Sequence, residues 1–327
     1  MTRRRASSVA AAVLVLGGAL SGCSLFGSDD GGGTTTEPRP TTTTTAAPVA
    51  RSTPPELLDP GEEPRQALRV AYAEGQQAVV TFTSDLAVTQ ESDGRTQRLD
   101  SPPITQTLTY TVGASTDAGS ELTIRIDAVA AKGKGTDLTA EEVAALDEQL
   151  APLVGLEATA VATPLGELED LAFDPPDGLD DAVTAQLDAL AEQLPALGPA
   201  LPSEDVGVGA SWRTVSTTQL GGAEVTTTST VTVTAIADGV VSYTTAIQTS
   251  AAAQDLDLAG LADGTSARLG SSDLQGTATG SLGLDRVLLE LRTRLTGTQA
   301  ITLDSADGTT ELTQSLDVAY SAATDAG

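Results

Sequence analysis

From Gln66 onward the chain alternates apolar and polar side chains one by one, the period of strands with one covered and one wet face. Val80, Phe82, Leu86 and Val88 take even positions. Ile104, Leu108, Tyr110 and Val112 do the same, while Thr105, Thr107, Thr109 and Thr111 point the other way. The theme returns in Leu122, Ile124 and Ile126, in Val225, Val231 and Val233, and in Val241, Tyr243 and Ile247. Val287, Leu289, Leu291 and Leu295 form a further run, and Leu312, Leu316, Val318 and Tyr320 another. Asp93-Gly94, Asp238-Gly239 and Asp307-Gly308 sit between runs and predict hairpin turns, where glycine supplies positive φ. Such alternation implies antiparallel sheet. Gly276 to Gly283, with glycines between Thr, Ser and Leu, suits a strand packed closely against a neighbour.

Two stretches switch to helical spacing. Thr139-Ala-Glu-Glu142 has the form of a capping box, and Val143, Leu146, Leu150 and Leu153 follow it on one face. Leu179, Val183, Leu187, Leu190 and Leu194 mark a second amphipathic helix that ends near Pro195. Between them, Glu157 to Phe173 predicts a hairpin around Pro164-Leu-Gly-Glu167, and a short helix is expected over Leu256 to Leu261. Two apolar helix faces need a surface to bury on, and the apolar face of the sheet supplies it. The expected class is therefore α+β: a long curved antiparallel β-sheet, half-barrel-like, with two amphipathic helices covering one face.

The amino terminus obeys different rules. Met1 to Arg5 is basic, Val9 to Leu20 is an apolar run, and Leu20-Ser21-Gly22-Cys23 closes it with small residues. The run is shorter than the ~20 apolar residues a membrane span needs and has the length of a signal-peptide core. Ser24 to about Pro64 is rich in Thr, Pro and Gly, too poor in apolar surface to order itself. The expected organisation is a signal peptide over residues 1–22, a disordered linker over 23–64, and a single two-halved sheet domain over 65–327. Arg3-Arg4 leaves the export route open, and the Thr-Pro tracts could carry O-linked sugars.

Composition narrows the chemistry. Acidic residues outnumber basic ones 45 to 17, and three of the basic ones, Arg3, Arg4 and Arg5, lie in the signal. Such a field repels phosphate backbones, so nucleic acid is not an expected partner. Lys132 and Lys134 read as a solvated turn. The chain has no histidine and one cysteine, which excludes internal disulfides, Ser-His-Asp and Cys-His machinery and His/Cys zinc sites. Only paired carboxylates remain as catalytic material: Glu141-Glu142, Glu167-Glu169-Asp170 and Asp180-Asp181 all fall on solvated helix or turn positions. Asp255, Asp257 and Asp263-Gly264 miss the spacing of a calcium loop. No enzyme activity, metal or cofactor is expected, and no feature fixes an oligomeric state. Trp212, the single tryptophan, reads as a core or lid residue, with a ligand-stacking platform as the alternative.

Leu20-Ser21-Gly22-Cys23 resembles the bacterial lipobox. That resemblance implies a diacylglycerol on the Cys23 thiol, cleavage just before it, and a mature protein held on the outer face of the cytoplasmic membrane. The segment Pro202-Ser-Glu-Asp-Val206-Gly-Val208-Gly209-Ala-Ser211-Trp212 resembles a group of bacterial lipoproteins of unknown function, in which a Gly-x-Ser-Trp motif opens the second half of the domain. By architecture alone the expected sheet is similar to the LolA and LppX half-barrel lipoproteins, which carry acyl chains. Two functions follow as expectations: a carrier of a lipid or other hydrophobic envelope molecule, or a scaffold that touches cell-envelope partners and binds no small ligand.

Overall fold

The computed structural model describes residues 51–133, 138–174, 187, 198–220, 223–256, 264–306 and 308–325. The first strands are β1 (Arg51–Ser52), β2 (Glu56–Asp59), β3 (Gln66–Ala67), β4 (Gln77–Ser92), β5 (Arg95–Asp100), β6 (Ile104–Thr116) and β7 (Gly119–Ala131). Helix α1 (Ala140–Leu150) leads to β8 (Glu157–Ala162), β9 (Leu168–Phe173) and β10 (Asp205–Val206). The second half holds β11 (Ser211–Leu220), β12 (Ala223–Ala237), β13 (Val240–Ala251), β14 (Gln254–Leu256), β15 (Ser266–Gly283), β16 (Leu289–Ser305) and β17 (Gly308–Thr324). All seven alternating runs lie in these strands, save that Val287 precedes β16.

Apart from β3 and β10, which pair with each other, the strands form one 15-stranded antiparallel sheet. Its order is β1-β11-β12-β13-β15-β16-β17-β4-β6-β7-β8-β9, with β2 beside β11, β14 beside β15 and β5 beside β4. The two halves of the chain therefore meet at one seam, where β17 lies between β16 and β4. There the register runs from Leu312 opposite Ser92 to Thr324 opposite Val80. β4 serves two partners on its other side, β6 along its first half and β5 along its second. Ser101-Pro102-Pro103 separates those two, as expected of prolines that lack the N–H a ladder needs.

Turn chemistry follows the sequence. Asp93 and Gly94 have φ of 50° and 71°, and Asp238 and Gly239 the same pair of values, the double positive φ of a two-residue hairpin. Asp307 lies outside the described residues, while Gly308 faces Ser305 across the β16–β17 hairpin. Gly276 and Gly297 sit where strands approach closely: a Cβ on Gly276 would fall 1.9 Å from the Arg294 carbonyl oxygen, and one on Gly297 2.0 Å from that of Asp273. No side chain fits either place.

Three expectations are corrected. The pair of helices roofing one face is replaced, among the described residues, by the single short helix α1. Its eleven residues span ~16 Å at 1.5 Å each, against ~55 Å for the seventeen-residue strands, so it packs at the β7 end and covers no more. The expected second helix lies outside the described residues except for Leu187, which is helical and buried in the main core. The expected linker gives way to sheet before Pro64, because β1 and β2 pair along the edge of β11 and Arg213 holds Glu56 at 2.6 Å. Leu256, expected to open a helix, ends strand β14 instead, drawn into the ladder by its pairing with Ala267.

The apolar rows pack into clusters on one face. The largest joins Leu108, Ile124 and Ile126 to Leu146 and Leu150 of α1. A second surrounds Trp212 with Leu68, Leu201, Val206, Val233 and Tyr243. Mid-sheet, Leu86, Val88, Leu274, Leu316 and Val318 form a third, and Val225, Leu269, Ile301, Leu303 and Leu312 a fourth.

Candidate functional site

A row of polar side chains crosses the buried face between the third and fourth clusters. Ser272 stands opposite Gln299, Gln299 opposite Gln314, and Gln314 opposite Gln90. These four are 0–7% exposed. Gln299 Nε2 donates to Gln314 Oε1 at 2.5 Å, and Gln314 Nε2 donates to Gln90 Oε1 at 2.8 Å, so the amides run as a ladder over β16, β17 and β4. The neighbouring row on one side is apolar throughout, Leu274–Gly297–Leu316–Val88. Nearby, the Thr227 and Thr249 hydroxyls lie 3.1 Å apart. Ser272 Oγ and, farther along β13, Tyr243 Oη are buried without a protein hydrogen-bond partner. Burial raises the Tyr243 phenol above its ordinary range, and the Tyr72 phenol is pushed up to about 12 for the same reason.

The opposite face carries short hydroxyls at strand spacing. One row reads Ser211–Thr232–Thr244–Thr279–Arg292–Ser321–Thr83–Thr105 across eight strands. Ion pairs interrupt the carpet. Arg294 forks onto both oxygens of Asp317 at 3.0 and 2.6 Å, and Arg125 meets Asp127 at 2.7 Å. The Thr109 hydroxyl donates to Asp127 from the next strand, and with the Arg125 guanidinium it holds the Asp127 carboxyl below the usual carboxylate range.

Of the residues singled out by sequence, Leu20, Ser21, Gly22 and Cys23 lie outside the described residues. Trp212 opens β11 wholly buried, and its Nε1 donates to the Ala200 carbonyl at 2.8 Å. The motif around it is a backbone corner. Gly207 lies so close to the crossing 60–62 segment that a Cβ would meet the Glu62 carbonyl oxygen at 1.8 Å. Ala210 is wholly buried beneath that segment, which explains a small apolar residue there, and its carbonyl accepts from Val233 N–H.

The carboxylate pairs are not brought together as a site. Glu142 completes the capping box: its carboxylate accepts from the Thr139 backbone and hydroxyl, which lowers its pKa. Glu167 sits at the β8–β9 turn, where burial and then the Glu169 charge raise its pKa. Asp255 pairs with Arg268 across β14 and β15 at 2.8 Å, and Asp180 and Asp181 lie outside the described residues. The buried amides are not among the residues singled out by sequence, because the alternation is followed through its apolar members and glutamine is seldom fully buried. The signal was present: Gln90, Gln299 and Gln314 each fall in the apolar phase of an alternating run.

No protein-family model matches this chain, and no curated protein does. Among solved structures, an outer membrane channel from Pseudomonas putida F1 aligns at 12% identity over 76% of this chain and 97% of that one, with a TM-score of 0.12. A likeness of that size carries no argument about fold or role.

Proposed function

We propose that this chain is a non-enzymatic lipoprotein, tethered through a diacylglyceride on Cys23 to the outer face of the cytoplasmic membrane, whose sheet serves as a platform for cell-envelope partners. The observation behind the platform is the division of labour between the faces. The apolar face is occupied by its own interlocked side chains, with Leu108, Ile124, Leu274 and Val318 at 0% exposure, while the hydroxyl face is left to the surroundings. Glycines at 276 and 297, where no Cβ fits, support a sheet curled into a half-barrel around that apolar face. The carrier reading keeps one observation in its favour, the unpartnered Ser272 and Tyr243 hydroxyls on the buried face.

Two measurements test this. Palmitate should label the parent and not Cys23→Ser, and only the parent should fractionate with membranes; an unlabelled parent removes the anchor from the account. Native mass spectrometry after gentle extraction should give the mass of the lipidated chain alone. A further lipid at near-unit stoichiometry would replace the platform with the carrier.

A further inference from the structure

The seam between the two halves poses a problem that alternation does not solve. β16 and β17 are joined by a tight hairpin, which sets their register. β17 and β4 are joined by no turn: Gln90 and Gln314 are 224 residues apart. Moving β17 along β4 by two residues keeps every side chain on its own face. On the buried face it would set Val318 opposite Ser84 or Val88, Tyr320 opposite Phe82 or Leu86, and Ala322 opposite Val80 or Ser84, pairings that small and apolar side chains tolerate. On the outer face one direction of slip would set Asp317 opposite Asp85 and Glu311 opposite Glu91, a like-charge cost between solvated groups, whereas the other sets Asp317 opposite Thr89 and carries no such cost.

On the buried face Gln90 and Gln314 are the pair that either slip would break. In the observed register they face each other and bond at 2.8 Å, and Gln314 also accepts from Gln299. A two-residue slip would set Gln314 opposite Val88 or Ser92 and Gln90 opposite Leu316 or Leu312. Buried amides would then lose each other among apolar side chains, a large penalty for groups with so little access to water. We infer that the Gln90–Gln314–Gln299 ladder is the register lock of the seam, selecting one of several pairings that the hydrophobic pattern leaves nearly equivalent. A single buried polar residue that sets the register of a coiled coil acts by the same logic.

Disulfide trapping in a full-length Cys23→Ser background tests this inference. Thr89 and Ser315 are opposite in the native register, so the pair Thr89→Cys/Ser315→Cys should oxidise readily. Thr89→Cys/Asp317→Cys and Thr89→Cys/Thr313→Cys report slips of two residues in either direction, because diagonal neighbours lie too far apart for a relaxed disulfide. With the ladder intact, only the native pair should cross-link. With Gln90, Gln299 and Gln314 all changed to Leu, or to the near-isosteric Met should the Leu variant fail to fold, the slipped pairs should rise at least fivefold at the expense of the native one. Native cross-linking alone in a folded ladder-free variant would overturn the inference.

Discussion

Trp212 shows how one side chain ties a corner together. Its indole is wholly buried against Leu201, Val206 and Val233, and its N–H reaches the Ala200 carbonyl. Trp212→Ala removes both contributions and should cost about 3–5 kcal/mol in urea unfolding. Trp212→Phe keeps much of the apolar volume but leaves that carbonyl unanswered, for about 1–3 kcal/mol. Unchanged midpoints would mean that the corner is held elsewhere. Glu167 makes the opposite case. Its folded pKa is raised, so the stability linked to its protonated form is present below the ordinary glutamate pKa and is lost as pH rises through the folded value. Glu167→Gln should therefore raise the unfolding midpoint at pH 7 by a small margin that vanishes near pH 3. A gain of equal size at both pH values would assign the effect to something other than ionisation.

At the scale of elements, the edge of the sheet is the informative place. β11 would present an open ladder on its outer side if residues 51–59 did not lie along it. Exposed edges recruit other chains, and this one is covered by the chain's own approach segment. A protein that begins at Arg51 should match the parent body in stability. One that begins at Pro60 loses the edge pairing, the packing of Leu57 and the Arg213–Glu56 contact. It should lose about 2–4 kcal/mol and show concentration-dependent association in sedimentation. Equal behaviour of the two would place the working boundary at Pro64 after all. Helix α1, by contrast, is local: its capping box is complete within Thr139 to Glu142.

On the scale of the whole molecule, the architecture depends on its last strand. The N-terminal half, β4 to β9, and the C-terminal half, β11 to β17, become one sheet only when β17 reaches β4, a pairing of high sequence separation whose loop entropy is offset late. The buried amide ladder lies at that junction. The formal charge of −28 favours solubility and disfavours contact of the body with anionic lipid.

Much of this was legible in the residues themselves. Alternation at 80–88, 104–112, 225–233 and 312–320 identified strands and their apolar faces, because side chains on a strand alternate sides whatever the strand pairs with. The Asp-Gly turns and the Thr139 cap were equally plain, since each is settled within four residues. What a local pattern could not contain was decided in three dimensions. The edge role of residues 51–59 depends on β11, the strand at Gln254–Leu256 on β15, and the burial of Gln90, Gln299 and Gln314 on their finding one another. Alternation assigns each residue a face and says nothing of its neighbour across the ladder, and for a buried amide that neighbour is the whole difference between a penalty and a lock.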